Sequence, residues 1–530
     1  MLKDKRVLIE KLFCIMGVMI ILGVWGLKLY TVLIIDAPRE LREATLVAFV
    51  QSFLEGENPY AISGLSKEIP VATSMYGFII PLVLTPLCFL NSVVGALGTL
   101  QFCQVMTLMV ELVGVYYGYK IVYKRTADKC CGVCAAILVY SCYWRYDACG
   151  GAYPDQWGIS VSVFLAYLIS VDSKKKYRPL LYTFIILVLF YIKAYFVFIT
   201  FGILMYLWRQ SKKDCIKLIV SGSVGGLFSF VVVNLVFPLY FSQIIPNGAG
   251  QTINGGIGYS LGQIYDLTKR FYAVPMFIVL IYVMIVFYKW FIERKRENTK
   301  TGILLKDVTD SLIGCEVVCV LPFTIYIARN IGTNYTYYLQ LWYIWLLMYA
   351  FECLKKLCTA KPNTRLYIFK LLMLCGSLVL CMRFMISKPL SSVQIKAWED
   401  TYTILEEYSK EGDILVSAHL SSWCIDNDIL VAEYGQHEFN NEINLESYKD
   451  KKWVEKIFPL ADDIIMKALE YNEKIRQDIQ NNKYTCVALT TATNYGIDEE
   501  YLLQNGYCLL DEKDLATGRR IWNTKIYVIK

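Results

Sequence analysis

Long apolar stretches recur along residues 12–386, and short basic clusters separate them. A helix needs about 20 mostly apolar residues to cross a bilayer core. By length and by the flanking clusters, spans fall at 12–35, 96–123, 131–147, 154–171, 179–192, 194–208, 216–240, 271–291, 309–328, 337–355 and 366–386. The expected fold is therefore a polytopic α-helical membrane protein with about eleven crossings. Composition agrees: of 530 residues, 56% are hydrophobic and only 19% charged, less charge than a soluble protein of this size carries. The formal charge of +7 does not point to nucleic acid. Its basic residues sit between spans, as in Lys120, Lys124, Arg125 and Lys129, or Lys174, Lys175, Lys176 and Arg178. That is the pattern of cytoplasmic loops.

Lys3, Lys5 and Arg6 precede an apolar run to about Ile35. The run is too long for a signal peptide and no small-x-small cleavage site follows, so it reads as an uncleaved anchor with the N-terminus inside. The segment 77–90 is short and holds Pro81 and Pro86. It reads as a half-helix dipping into the outer leaflet, since a full crossing would break the parity of the loops. An odd count of crossings then puts 36–76, 148–153, 241–270, 329–336 and 387–530 on the outer face of the plasma membrane.

Residues 1–386 form the membrane domain, with 36–76 as its first outer loop, and 387–530 form a second domain. In the latter Glu, Lys, Asn and Asp become frequent. Helices are expected at Ile395–Lys410 and Trp453–Gln480, and strands at Asp413–Ala418, Ile429–Tyr434, Tyr484–Leu489 and Ile526–Ile529. This is an extracytoplasmic α/β domain. Most of the 18 cysteines lie in apolar spans, where they act as small hydrophobes. Cys130-Cys131-x-x-Cys134 lacks the second pair or the His partners of a zinc site. The two histidines, His419 and His437, lie far from the spans, so no metal site built on His is expected within the membrane.

Five constellations carry polar chemistry to the outer face. Asp36, Glu40, Arg42 and Glu43 follow the first span, and carboxylates at a membrane face are costly unless paired or used. One of them can serve as the base that deprotonates an acceptor hydroxyl; an interfacial helix with solvated charges makes the same pattern. Asp155, in Tyr153-Pro154-Asp155-Gln156-Trp157, can hold a sugar hydroxyl or a cation, or simply cap a helix. Lys193 lies between two short spans, where an ammonium needs a partner, and a lipid phosphate is one; the alternative is snorkelling to the interface. Arg329 can grip phosphate bidentately, and a row of tyrosines follows it. The loop 241–270, rich in Gly and Asn, is long enough for a gating lid or a plain flexible loop.

Several of these segments fall in an order that resembles the GT-C fold glycosyltransferases, the bacterial group related to mannosyl- and aminoarabinose-transferases. The likeness rests on Pro38-Arg39-Glu40-Leu41-Arg42-Glu43-Ala44, on Gly56-Glu57-Asn58-Pro59-Tyr60 with Tyr76-Gly77-Phe78, and on Pro154-Asp155. It continues through Lys193 and through Gly332-Thr333-Asn334-Tyr335-Thr336-Tyr337-Tyr338-Leu339. Tyr153, Ala194 and Gln340 stand where the family has Arg, Gln and Glu. The resemblance implies transfer of a sugar from a polyprenyl-phosphate donor to a cell-envelope glycan, lipid or protein acceptor. It implies Glu40 first, then Asp36 or Glu43, as the base. Lys193, Arg329 and Arg42 would meet the donor phosphate, and Asp155, Tyr60, Tyr76, Asn334 and Tyr338 would line the substrate. A divalent cation is compatible with such a site but not indicated. A lipid-linked glycan flippase is the rival from another class; no inverted repeat is detected and paired charges in span centres look scarce. A pyrophosphate-lipid polymerase or ligase is the nearer rival, and it would want more basic residues in each outer loop.

Overall fold

The structure is a computed structural model that describes residues 2–39, 43–63, 77–95, 97–143, 151–172, 178–244, 255–297, 308–329, 336–359, 364–385, 390–429, 456–457, 460–490, 497–517 and 520–529. Among the described residues the regular elements of the membrane domain are all helices. Its elements are α1 (Leu2–Ile34), α2 (Glu43–Leu54), α3 (Ile79–Val94), α4 (Thr99–Thr126), α5 (Lys129–Ser141), α6 (Pro154–Asp172) and α7 (Pro179–Ile192). A 3-10 turn, Ala194–Phe198, leads into α8 (Ile199–Gln210) and α9 (Lys212–Val236). Then come α10 (Ile257–Leu267), α11 (Ala273–Glu297), α12 (Leu312–Ile327), α13 (Thr336–Thr359) and α14 (Thr364–Met385).

Five helical segments among the described residues are long and apolar enough to cross a bilayer: Arg6–Ile34, Thr99–Thr126, Lys212–Val236, Ile257–Ile292 and Thr364–Met382. This is fewer than the eleven expected, and for four of the six others length is the reason. The stretches at 131–147, 179–192, 194–208 and 309–328 form helices of 13, 14, 12 and 16 residues. At about 1.5 Å per residue, none of these reaches the roughly 30 Å of a bilayer core. Helix α13 has the length but lies at the centre, where Trp345, Leu347, Tyr349 and Phe351 are fully buried against α4, α5, α11, α12 and α14. The periphery is the reverse. On α9, Leu227, Phe228 and Leu235 are each at least 70% exposed. A continuous apolar face of that kind is stable only against lipid or a partner. Helix α3, with 16 residues, falls short of a full crossing, as the two prolines suggested.

Ion pairs gather at one end of the bundle. Lys370 meets Asp128 at 2.5 Å and Glu10 at 3.8 Å, Arg125 meets Glu352 at 3.4 Å, and Lys356 meets Asp310 at 2.7 Å. The other end carries the C-terminus of α1, α2, the start of α4 and the C-terminal domain.

That domain contains α15 (Ser392–Ser409), β1 (Asp413–Val416), α16 (Ala418–Asp426), α17 (Leu460–Gln480), β2 (Tyr484–Thr490), α18 (Glu499–Gln504), β3 (Tyr507–Thr517) and β4 (Arg520–Ile529). The sheet order is β1-β2-β4-β3, with β1 parallel to β2 and the other pairs antiparallel. Alternation along the strands serves two cores. Ile414, Val416, Cys486 and Ala488 pack with Trp398 and Leu405 of α15, while Leu415, Val487 and Leu489 pack with Ile475 and Ile479 of α17. The first core does not stop at the domain boundary. It takes in Ile35, Ala37, Val47, Ala48 and Leu100 of the membrane domain. Strand β3 and the first half of β4 were not expected, because Asp511, Glu512, Lys513 and Asp514 hide the strand signal at this sheet edge. The expected strand at 429–434 lies almost wholly outside the described residues.

His419 of α16 is fully buried; its Nε2 pairs with Thr524 Oγ1 at 2.9 Å, and its ring lies against Trp398 and Trp522. Burial pushes its pKa down to about 3. The unfolded chain binds this proton near pH 6.5, so stability is full above that value and falls as pH drops toward 3. The unfolding midpoint should therefore decline with acid below about pH 6.5. His419→Gln should flatten that decline; equal declines in both proteins would contradict it.

Candidate active site

Glu43 opens α2 and is buried. Its carboxylate accepts the backbone N–H groups of Arg39 and Ala152 and the side-chain amide of Gln104, the last at 3.2 Å. Burial raises its proton affinity, and those donors oppose the rise. The residue thus ties the loop after α1, α4 and the approach to α6 together. Arg39, also buried, donates through Nη2 to the Thr31 carbonyl at 2.5 Å, near the end of α1, where positive charge is favoured.

Pro154 begins α6, a position suited to a residue without an N–H. Asp155 follows in the first turn. At the far side, α7 ends at Lys193, whose extended backbone breaks the helix before the 3-10 turn. The Lys193 amine lies 3.1 Å from Asp155 Oδ1 and 3.2 Å from Oδ2. Tyr195 donates its hydroxyl to the same Oδ1. The rings of Tyr195 and Tyr338 stand 5.1 and 6.0 Å from the amine and meet each other edge-on. The side chains of Lys193 and Asp155 are 10% and 4% exposed. Gly77 donates its N–H to the Ile192 carbonyl at 3.2 Å. A Cβ there would stand 1.4 Å from the Tyr191 carbonyl oxygen, so only glycine permits this approach.

Beneath Asp155 lies a second polar group. Gln156 takes the Tyr153 N–H at 3.0 Å and donates to Glu111 at 2.6 Å, and Glu111 pairs with Lys28 at 2.8 Å. Lys28 and Glu111 belong to α1 and α4, so a buried charge pair occupies the interior of the bundle, near the end of α1. It holds the start of α6 against α1 and α4.

Asp36 lies at the junction with the C-terminal domain. Its carbonyl accepts the Tyr402 hydroxyl at 2.5 Å. Burial first, then Asp426, pushes its pKa up to about 7, while Arg39 opposes. Its Oδ1 is buried with no hydrogen-bond partner among the described residues. Arg329 sits at the end of α12 and exchanges hydrogen bonds with Gly255, through Nε at 2.7 Å and its own carbonyl at 2.9 Å.

Of the residues expected from sequence, Asp155, Lys193 and Tyr338 meet directly, and Glu43 joins them through Ala152. Asp36 lies behind Glu43, on the side of the C-terminal domain. Tyr60 is placed apart: it is fully buried among Phe49, Phe237 and Tyr240, an aromatic core and not a pocket wall. Glu40, Arg42, Tyr76 and Asn334 lie outside the described residues. Sequence reasoning missed Arg39, Gln104, Tyr195 and Asp426, and the Lys28–Glu111–Gln156 group. Lone charges within apolar stretches were the available signal for Lys28 and Glu111. Among the described residues no three His, Cys, Asp or Glu side chains stand together as a metal site.

No known family's sequence profile matches the chain, and no curated protein matches it. Solved structures do. The archaeal oligosaccharyltransferase AglB from Archaeoglobus fulgidus, in complex with an inhibitory peptide and a dolichol-phosphate, is 10% identical over 89% of this chain and 69% of its own, with a TM-score of 0.46. The same organism's oligosaccharyltransferase in complex with Zn and sulfate gives 11%, 94%, 72% and 0.45. ArnT from Cupriavidus metallidurans, bound to undecaprenyl phosphate, gives 10%, 97%, 97% and 0.48. At this identity and these TM-scores, the likenesses assign neither a family nor an activity to this chain.

Glu43→Ala would strand three buried donors and should lower stability by about 3 kcal/mol. Glu43→Gln keeps an acceptor oxygen and should lose less. Thermal unfolding of the purified protein reads both; an unchanged midpoint in Glu43→Ala would show that Glu43 is not the tie.

Proposed function

We propose that the protein is an integral-membrane glycosyltransferase that moves a sugar from a polyprenyl-phosphate donor to an acceptor on the outer face of the plasma membrane. The observation that carries this reading is the Lys193–Asp155 pair, an almost buried amine caged by two tyrosines at the end of an apolar bundle. Beside it, Tyr191 and Val197 line a cavity of about 460 Å3 between α7, α8 and α9, walled mainly by Ile, Leu and Phe side chains. The first isoprene units of a polyprenyl tail would fit such a cavity, the rest lying in lipid, and its phosphate would then reach toward Lys193, two residues past Tyr191 of the cavity wall, in place of Asp155. Asp155, released, would take a sugar hydroxyl.

In the reaction a carboxylate takes the proton of the acceptor hydroxyl as that oxygen bonds to the anomeric carbon. The bond from that carbon to the phosphate oxygen breaks, and the electron pair stays on the phosphate. Lys193 stabilises the charge that develops there, with Arg329 and Arg42 as further donors. Asp36 is the base we favour: burial raises its proton affinity to near neutral, so its carboxylate form is available at working pH and is a stronger base than an ordinary carboxylate, and one of its oxygens has no partner among the described residues. Glu40 is the alternative, and Glu43 is committed to its backbone donors. Tyr338 would flank the sugar, with Tyr76 and Asn334 at the rim. A divalent cation is not needed for this route.

The end that carries ion pairs and basic loops is assigned to the cytoplasm. That puts the N-terminus inside and the C-terminal domain outside. We keep about eleven crossings, the short helices spanning with the help of their flanking residues and of a locally thinned bilayer.

The test is an assay in lipid vesicles with a panel of radiolabelled polyprenyl-phosphate sugars. One donor class should release sugar, and Asp36→Asn should abolish release. An active Asp36→Asn with an inactive Glu40→Gln would move the base to Glu40. No turnover by folded protein with any donor would overturn the proposal.

A further inference from the structure

We infer that Asp426, a residue of the C-terminal domain, is a positioning residue for the base Asp36, facing it across Gly98 and setting the pH at which it works. The inference rests on the reading of Asp36 as the base. It makes the C-terminal domain part of the reaction apparatus and not only a neighbour.

The geometry turns on Gly98. A Cβ built on it would lie 2.8 Å from Asp36 Oδ2 and 3.0 Å from Asp426 Oδ2. Two carboxylates from residues far apart in sequence therefore converge on the space that a glycine leaves open. Like charges so close cannot both ionise freely, so one holds a proton to higher pH. The surroundings decide which. Asp426 Oδ2 accepts the Leu100 N–H at 3.3 Å, and its carboxylate also accepts the backbone and the hydroxyl of Thr99. These are first-turn donors of α4, a helix of 28 residues whose N-terminus favours negative charge. Asp36 has no such donors, and its Oδ1 is unpartnered among the described residues. Burial raises the proton affinity of both acids, but the α4 donors oppose the rise at Asp426, so Asp36 is the one that keeps its proton to higher pH.

Among the described residues, Arg39, Glu43 and Asp428 are the other charged groups that act on the pair. Arg39 favours the charged form of Asp36, Glu43 disfavours it, and Asp428 raises the proton affinity of Asp426. Tyr402 of α15 fixes the Asp36 carbonyl and stacks on Trp423 of α16, with ring centroids 4.6 Å apart. That contact and the shared apolar core hold the two acids in register.

The experiment follows the Asp36 proton in full-length protein in lipid, in two ways. Infrared spectra against pH track its protonated-carboxyl band, assigned by its loss in Asp36→Asn. The pH–rate profile of sugar transfer gives the acid limb. Asp426→Asn keeps a side-chain acceptor for α4 but removes the charge; it should move both midpoints down by about one pH unit. Gly98→Ala, which keeps both acids but wedges them apart, should move them the same way. Midpoints unmoved in both variants, with Asp36→Asn inactive, would show that Asp426 only caps α4, and the inference falls alone. Turnover retained in Asp36→Asn would remove the base reading and the inference with it, even if the infrared band still shifts.

Discussion

Burying a charge at the end of an apolar bundle is costly unless an opposite charge or several donors meet it. The membrane domain is arranged around two such burials. Lys193 is held by Asp155, and Glu43 is held by two backbone N–H groups and Gln104. The first joins α6 to the break after α7, and the second joins the loop after α1 to α4 and to the chain entering α6. The Lys28–Glu111–Gln156 group backs both from below. Neutral hydrogen bonds, such as Trp157 to Thr107 and Ser160 to the Val110 carbonyl, add to this alignment between α6 and α4.

The second constraint is apolar. One core runs from β1, β2 and β4 through α15 and α16 into Ile35, Ala37, Val47, Ala48 and Leu100. The C-terminal domain is therefore not a tethered module. It shares its interior with the loop that carries the candidate base, and a change in either is felt by the other. Connecting loops are usually the most mobile parts of a protein. Here the first half of that loop is bounded by a folded α/β domain, which keeps Asp36 in one place.

How much of this was legible in the sequence follows from what each signal depends on. Lys193 and Asp155 could be read because a charge beside an apolar stretch must have a purpose, and the structure gives each to the other. Tyr338 was readable as part of a motif. Tyr60 was not, because a motif tyrosine and a core tyrosine look alike until packing is known. Asp426 was invisible, since only the tertiary fold brings it to Gly98. The bundle's existence was evident from hydropathy, but the number of crossings was not. Hydropathy marks an apolar helix without saying whether lipid or other helices cover it, and α13 shows the difference. Strand β3 was lost for a related reason: charges on a sheet edge protect it from pairing and also mask it.

Equilibrium binding of a sugar-free polyprenyl phosphate to the protein in lipid nanodiscs tests the centre of this account. Saturable binding, weakened about tenfold or more in Lys193→Ala, is the predicted result. Equal affinity of the wild type and Lys193→Ala, with both proteins folded, would contradict it and return Lys193 to a purely structural partner of Asp155.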